Sequence, residues 1–194
     1  MYKQYKLSQE LRVRRVCSRA PNFSTKSLHN CIKGITKLEN YVGKYLVIIF
    51  YPSNFMAISS QELLEFQNYL SKFQDINCEI LAISPDSIES HIAWFTAPLE
   101  HNGLSESVQF PLLEDKSMTI CRTFGVSNED NGSALMSAFV IDKNGLIRIT
   151  VCLDVGIHFC VKDILRMVKE LQIRDKEEEA ETGNSVEINS VSVG

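Results

Sequence analysis

An α/β fold with a mixed central sheet flanked by helices is the class this sequence predicts, on three observations. Tyr45 to Tyr51 is an unbroken run of apolar, β-branched and aromatic residues between Gly43 and Pro52, which reads as a strand buried on both faces. Directly after it the period lengthens. Leu63, Phe66, Leu70 and Phe73 recur at helical spacing, so a helix starts near Ser60 and lays one face on the sheet. The strand-then-helix alternation returns downstream and closes in a hairpin and a last helix, which mixes parallel with antiparallel pairing.

Composition narrows the class of function. The 194 residues suffice for one domain with an extension. With 44% hydrophobic and 23% charged residues the chain is ordinary for a globular protein. A net charge of −4 argues against nucleic acid or an anionic membrane as the main partner. No stretch approaches the roughly eighteen consecutive apolar residues of a membrane span. The first residues lack the apolar core of a secretory signal, so a reducing, cytoplasmic compartment is expected. Six cysteines, at 17, 31, 78, 121, 152 and 160, show no C-x-x-C or zinc-type spacing. They read as free thiols, and no metal or cofactor is expected. Cys78 and Cys152 fall in predicted strands, where a buried thiol has a raised pKa and is inert.

Taken in order, residues 1–19 hold six basic side chains (Lys3, Lys6, Arg12, Arg14, Arg15 and Arg19) against Glu10. They form a basic extension, read either as a solvated arm or as a mitochondrial presequence. The domain, 20–174, opens at Ala20-Pro21-Asn22-Phe23, and turn signals at His29-Asn30 and Lys33-Gly34 mark a hairpin before the strand at Tyr45. Cys78 to Ser84 is a second buried strand. Ser87 caps a helix to about Thr96, and Pro98 to Ser107 is a polar loop. Gln109 to Leu113 reads as a short strand, and a helix from Asp115 to about Phe124 is stopped by Gly125. Ala138–Asp142 and Leu146–Leu153 pair across Lys143-Asn144-Gly145. Val161 to Ile173 is an amphipathic helix. Residues 175–194, with six acids and one lysine, form an acidic tail predicted to be disordered. This order is that of the thioredoxin fold with an insertion before its third helix.

Several motifs in sequence resemble one family, the peroxiredoxins, and within it the typical two-cysteine, thioredoxin-dependent peroxidases. They include Ala20-Pro21-Asn22-Phe23, Gly43-Lys44-Tyr45, Phe50-Tyr51-Pro52, Asp86-Ser87, His91-Ile92-Ala93-Trp94, Phe124-Gly125-Val126 and Ile141-Asp142-Lys143. Members of that family reduce hydroperoxides with a cysteine thiolate in P-x-x-x-T-x-x-C, aided by arginines. A thiolate at a helix N-terminus attacks the O–O bond and becomes a sulfenic acid.

Here the motif reads Pro52-Ser53-Asn54-Phe55-Met56-Ala57-Ile58-Ser59. The resemblance aligns Met56 with the threonine, Ser59 with the peroxidatic cysteine, and Met136 and Phe159 with two arginines. It leaves no counterpart for the resolving cysteine after Cys160. A serine hydroxyl stays protonated at neutral pH and has no oxidation ladder, so the family reaction cannot run at position 59. Catalytic residues are therefore not expected at Pro52, Met56, Ser59, Met136 or Phe159. Cys152 and Cys160, which flank the altered loop, are the candidates for a relocated thiol.

Ser59-Ser60-Gln61-Glu62 also fits the capping box S-x-x-E, with Ile58 and Leu63 as staple, which would make Ser59 an N-cap. Met56, Met136 and Phe159 would line or fill an apolar site. None of His29, His91, His101 and His158 is placed as a base for Ser59. The expected function is binding or assembly as a homodimer, or a ring built from dimers, on a catalytically degenerate peroxiredoxin fold. The alternative is a peroxidase with thioredoxin as partner.

Overall fold

A computed structural model describes residues 14–154 and 156–190. Lys3, Lys6, Glu10 and Arg12 of the basic extension, and the last four residues of the acidic tail, lie outside the described residues. Two compact units are present, one ending at Phe159 and one beginning at Cys160.

The first unit opens with a hairpin of β1 (Ser24–His29) and β2 (Ile32–Lys37). Asn30 and Cys31 form its turn, both left-handed with φ of 50° and 61°, the two-residue connection that matches strand twist. Next come β3 (Tyr45–Phe50), α1 (Ala57–Gln74), β4 (Cys78–Ser84), α2 (Ile88–Thr96), β5 (Leu112–Glu114) and α3 (Thr119–Phe124). A two-residue pair, β6 (Ser127–Asn128) and β7 (Ser133–Ala134), precedes the hairpin of β8 (Ser137–Ile141) and β9 (Ile147–Cys152). Seven strands form one mixed sheet in the order β2-β1-β5-β4-β3-β8-β9. β3 lies parallel to β4 and antiparallel to β8. This is the thioredoxin-like arrangement that the sequence predicts.

Every residue of β3 is buried, as a strand covered on both faces requires. Leu46, Ile48 and Phe50 join Ile120, Cys121 and Phe124 of α3 in one apolar cluster. Phe50, Phe124 and Phe139 stand 5.1–5.6 Å apart there in tilted and edge-on pairs. Tyr51, of the opposite parity, meets Trp94 of α2 at 5.4 Å.

Three boundaries differ from expectation. Helix α1 begins at Ala57 rather than near Ser60. Helix α3 begins at Thr119, and Asp115 stands outside it as a capping group whose carboxylate accepts the Ile120 and Cys121 N–H groups at 3.1 and 2.7 Å. The short strand β5 is shifted to Leu112–Glu114, where it pairs with β4 and β1. Other terminators hold: Ser87 accepts the Ser90 N–H as N-cap, and Gly125 ends α3 with φ of 74°.

The second unit is α4 (Val161–Ser190). Its stripe Val161, Ile164, Leu165, Val168 and Leu171 is buried. The helix runs on through 175–190, where composition predicts disorder. Arg166–Glu170 at 2.7 Å and Arg174–Glu178 at 3.4 Å are i,i+4 pairs that favour helix over coil.

One loop braces the start of α1. The Asn102 carbonyl accepts the Trp94 indole N–H at 2.6 Å and the Ser60 hydroxyl. Asn102 itself is left-handed, and a Cβ on Gly103 would sit 2.0 Å from the Ala97 carbonyl oxygen. Gly103→Ala should therefore lower stability by about 3 kcal/mol, a drop in Tm of roughly 6–12 °C by circular dichroism. An unchanged Tm would show that the backbone contact is not constraining.

Candidate functional site

The chain leaves β3 at Tyr51, turns through Pro52, Ser53 and Asn54, and enters α1. The turn is fixed from behind by a polar network. The Tyr51 hydroxyl donates to Asn54 Oδ1 at 3.0 Å. The Asn54 amide donates to Ser90 Oγ at 2.9 Å and to His91 Nδ1 at 3.2 Å. His91 Nε2 donates to the Leu113 carbonyl at 3.1 Å, which leaves Nδ1 as the acceptor. Asp86 closes the set. Its carboxylate accepts the Asn54 N–H and the Ser84 hydroxyl, both at 2.8 Å, and the Ser90 hydroxyl at 3.2 Å.

Burial holds the His91 pKa below its usual value, against the opposing Asp86 charge, and drives Tyr51 well above its own. Both groups are therefore neutral hydrogen-bonding parts of the network at neutral pH.

Helix α1 starts at a Met56 N-cap in extended conformation with no side-chain capping bond, after Phe55 at φ of 61°. Ser59 is thus the third helical residue and not the N-cap; the capping box does not form. The backbone enters the helix three residues early, and the Glu62 carboxylate that would complete the box is engaged elsewhere. Ser59 is fully buried, and its Oγ has no hydrogen-bond partner.

Glu62 is the site residue that sequence reasoning missed. It is 2% exposed on the same buried stripe as Ser59, Leu63 and Phe66. Its Oε1 takes His158 Nδ1 at 2.6 Å, and the Phe159 N–H donates to both carboxylate oxygens at 3.3 Å. Phe159 also packs edge-on against Phe66 at 5.8 Å. The loop after β9 is therefore tied to α1 by one carboxylate and one ring pair. A glutamate inside an apolar helical stripe was the available signal.

The predicted site residues are partly brought together. Ser59 lies on the α1 face whose Glu62 and Phe66 hold Phe159; Met136 is buried, and its carbonyl accepts the Leu153 N–H at 2.9 Å. Pro52 is half-buried. Met56 is 40% exposed, so it does not fill an apolar interior as Met136 and Phe159 do. Cys152 is exposed at the last position of β9, not buried as its strand assignment predicts. Partial desolvation still pushes its thiol up. Cys160 is exposed, while Cys78 and Cys121 are buried with pKa values driven up by burial. Among the described residues no cluster of three or more His, Cys, Asp or Glu side chains could hold a metal ion.

Residues 16–150 match the AhpC/TSA family. The chain belongs to that family, the peroxiredoxins. It is 39% identical over 158 residues to Peroxiredoxin 2 of Drosophila melanogaster, covering 81% of this chain and 80% of the fly protein. To the human mitochondrial thioredoxin-dependent peroxide reductase it is 36% identical over 157 residues, again 81% of this chain but 61% of the relative's length. The reduced 2-Cys peroxiredoxin of Plasmodium vivax superposes with a TM-score of 0.80 at 28% identity, with 83% of each chain covered. Within this peroxiredoxin frame, position 59 carries an alcohol.

Glu62 and His91 predict opposite pH responses. Burial raises the Glu62 pKa above its usual value, against the hydrogen bonds from His158 and Phe159, with Glu65 adding to the rise. Ionising Glu62 thus opposes folding: its contribution is most favourable below the unfolded carboxylate pKa and falls as pH rises through the raised value. Glu62→Gln should therefore gain Tm relative to the parent as pH climbs from about 4 to 7; a relative loss over that interval would refute the raised pKa.

His91 acts in the other direction. Its lowered pKa gives stability that is present above the unfolded value and is lost as pH falls through the folded one. His91→Gln should flatten the loss of Tm below about pH 6.5. A parallel acid limb in both proteins would exclude a buried neutral imidazole.

Proposed function

We propose that this peroxiredoxin-family chain does not run thiol-peroxidase chemistry at the β3–α1 junction and acts by binding, assembled with a second copy of itself as a dimer or a ring of dimers. The observation that carries this reading is Ser59. Its hydroxyl is fully buried and unpartnered. The only carboxylate placed on the same helical face, Glu62, is committed to His158 and Phe159. An alcohol in such surroundings supplies neither a thiolate nor a route to a sulfenic acid. Met136 and Phe159, where the family resemblance expects arginines, add no positive charge that would hold a peroxide or lower a neighbouring pKa. A cytoplasmic location belongs to this proposal, resting on cysteine spacing that reads as free thiols rather than a disulfide framework.

A second reading is favoured by the names of the relatives and by the exposure of Cys152 and Cys160. One of these thiolates would attack the peroxide O–O bond, becoming a sulfenic acid while the alcohol or water leaves. A thioredoxin dithiol would then reduce the sulfenic acid to thiol, releasing water and leaving thioredoxin as its disulfide. The raised pKa of Cys152 works against it, because the thiolate is the nucleophile.

Hydrogen peroxide consumption with thioredoxin, thioredoxin reductase and NADPH separates the two. The expected outcome is consumption at the level of a free-thiol control and unselective oxidation of the cysteines by mass spectrometry, unchanged in the Cys152→Ser, Cys160→Ser double variant. Turnover well above that control, with one cysteine selectively oxidised and activity lost on its replacement, would overturn the binding reading. Sedimentation velocity on the same sample tests assembly, with a monomer at micromolar concentration as the adverse result.

A further inference from the structure

A second site lies at the opposite end of β3 from the Ser59 junction. A cavity of about 250 Å³ opens where the single-turn helix Leu38–Tyr41 passes over the starts of β3 and the β8–β9 turn. Leu38, Tyr41, Val42, Leu46 and Ile141 give it an apolar lining. Val42 is 75% exposed, so this apolar surface reaches the mouth. Small-molecule sites pair such a lining with a few placed polar groups.

The charges at the mouth are mostly committed. Lys44 pairs with Glu79 at 2.6 Å. Asp142 pairs with Arg148 at 2.8 Å and accepts the Asn144 and Leu146 N–H groups. The Asn22 amide donates to Glu39 at 2.8 Å. That neutral amide leaves the Glu39 charge uncompensated among the described residues, and Arg19 is the uncommitted cation. Among the described residues no carboxylate pairs with it, and its guanidinium has only a 3.5 Å contact to the Asn144 carbonyl. Its backbone is nonetheless held: Arg19 bridges Leu146, and the Ala20 N–H donates to the Gly145 carbonyl at 2.9 Å. An uncommitted guanidinium on an anchored backbone suits an oxyanion such as a carboxylate, and the apolar lining suits an apolar body.

The geometry points to a binding site for a small apolar monocarboxylate, its carboxylate on Arg19 and its body against Leu38, Leu46 and Ile141. Burial and the Glu79 charge push the Tyr41 phenol up to about 12, so this lining residue adds no negative charge at neutral pH. This site is independent of Ser59 and of any peroxidase activity.

The test is titration of the full ¹⁵N-labelled chain with 2-naphthoate and with its neutral analogue 2-naphthamide, followed by amide shifts in two-dimensional NMR. Saturable shifts confined to Leu38–Lys44, Leu46 and the Ile141–Leu146 segment are expected with naphthoate, and about tenfold weaker binding of the amide. Arg19→Gln should weaken naphthoate about tenfold and leave naphthamide unchanged. Leu38→Trp, which fills the cavity, should abolish both. Should that variant fail to fold, the Arg19→Gln comparison decides. Equal affinity for acid and amide, unchanged affinity in Arg19→Gln, or the absence of saturable shifts in these segments would overturn the assignment.

Discussion

The Asp86 carboxylate is the constraint on which the candidate site depends. It collects donors from three elements: the Ser84 hydroxyl at the end of β4, the Ser90 hydroxyl in α2, and the Asn54 N–H in the turn that leads into α1. Even half-buried, such a group loses hydration that it regains only when its lone pairs are met with good geometry. Because Asn54 also engages Tyr51, Ser90 and His91, the turn cannot shift without breaking several bonds at once. The helix entry at Met56 and the burial of Ser59 follow from that anchoring.

The two ends of the first turns of α1 are stabilised by different physics. Behind the turn, neutral donors and acceptors are matched one to one around a single carboxylate. On the buried stripe, Glu62 gathers an imidazole and one backbone N–H across a gap of nearly a hundred residues, and it resists ionisation there. The buried stripe of α1 thus carries an acidic anchor at Glu62 and, one turn before it, a buried alcohol at Ser59. The peroxiredoxin frame persists because its bonds run between backbone and network residues that do not depend on the atom at position 59.

Local signals in the sequence were read well. The Ser87 cap, the Gly125 stop and the β8–β9 hairpin each depend on contacts within a few residues, and the apolar run of β3 marks burial on both faces by its composition, so these patterns suffice. The capping box at Ser59 failed although its pattern was complete, because the anchoring of Asn54 by Asp86 sets the helix entry from outside the segment. Asp115 looks in the sequence like the first residue of a helix, whereas it caps that helix from a turn away. The link from Glu62 to the His158 ring and the Phe159 N–H is not legible, since nothing near Glu62 announces a partner so distant in the chain. The strand position of Cys152 was right, but placement at a strand's last residue does not fix burial.

The strand order has a consequence for how this chain is made. β3, buried along its whole length, pairs with β4 soon after it in the chain, but its other neighbour is β8, with Leu46 opposite Ile141. Closing so long a loop is entropically slow and comes late. During synthesis a wholly apolar strand therefore waits, with one edge unpaired, until most of the first unit has emerged. Its safety in that interval rests on α1 and β4 condensing around it early, which makes the early β3–α1–β4 unit the segment where a chaperone is most needed.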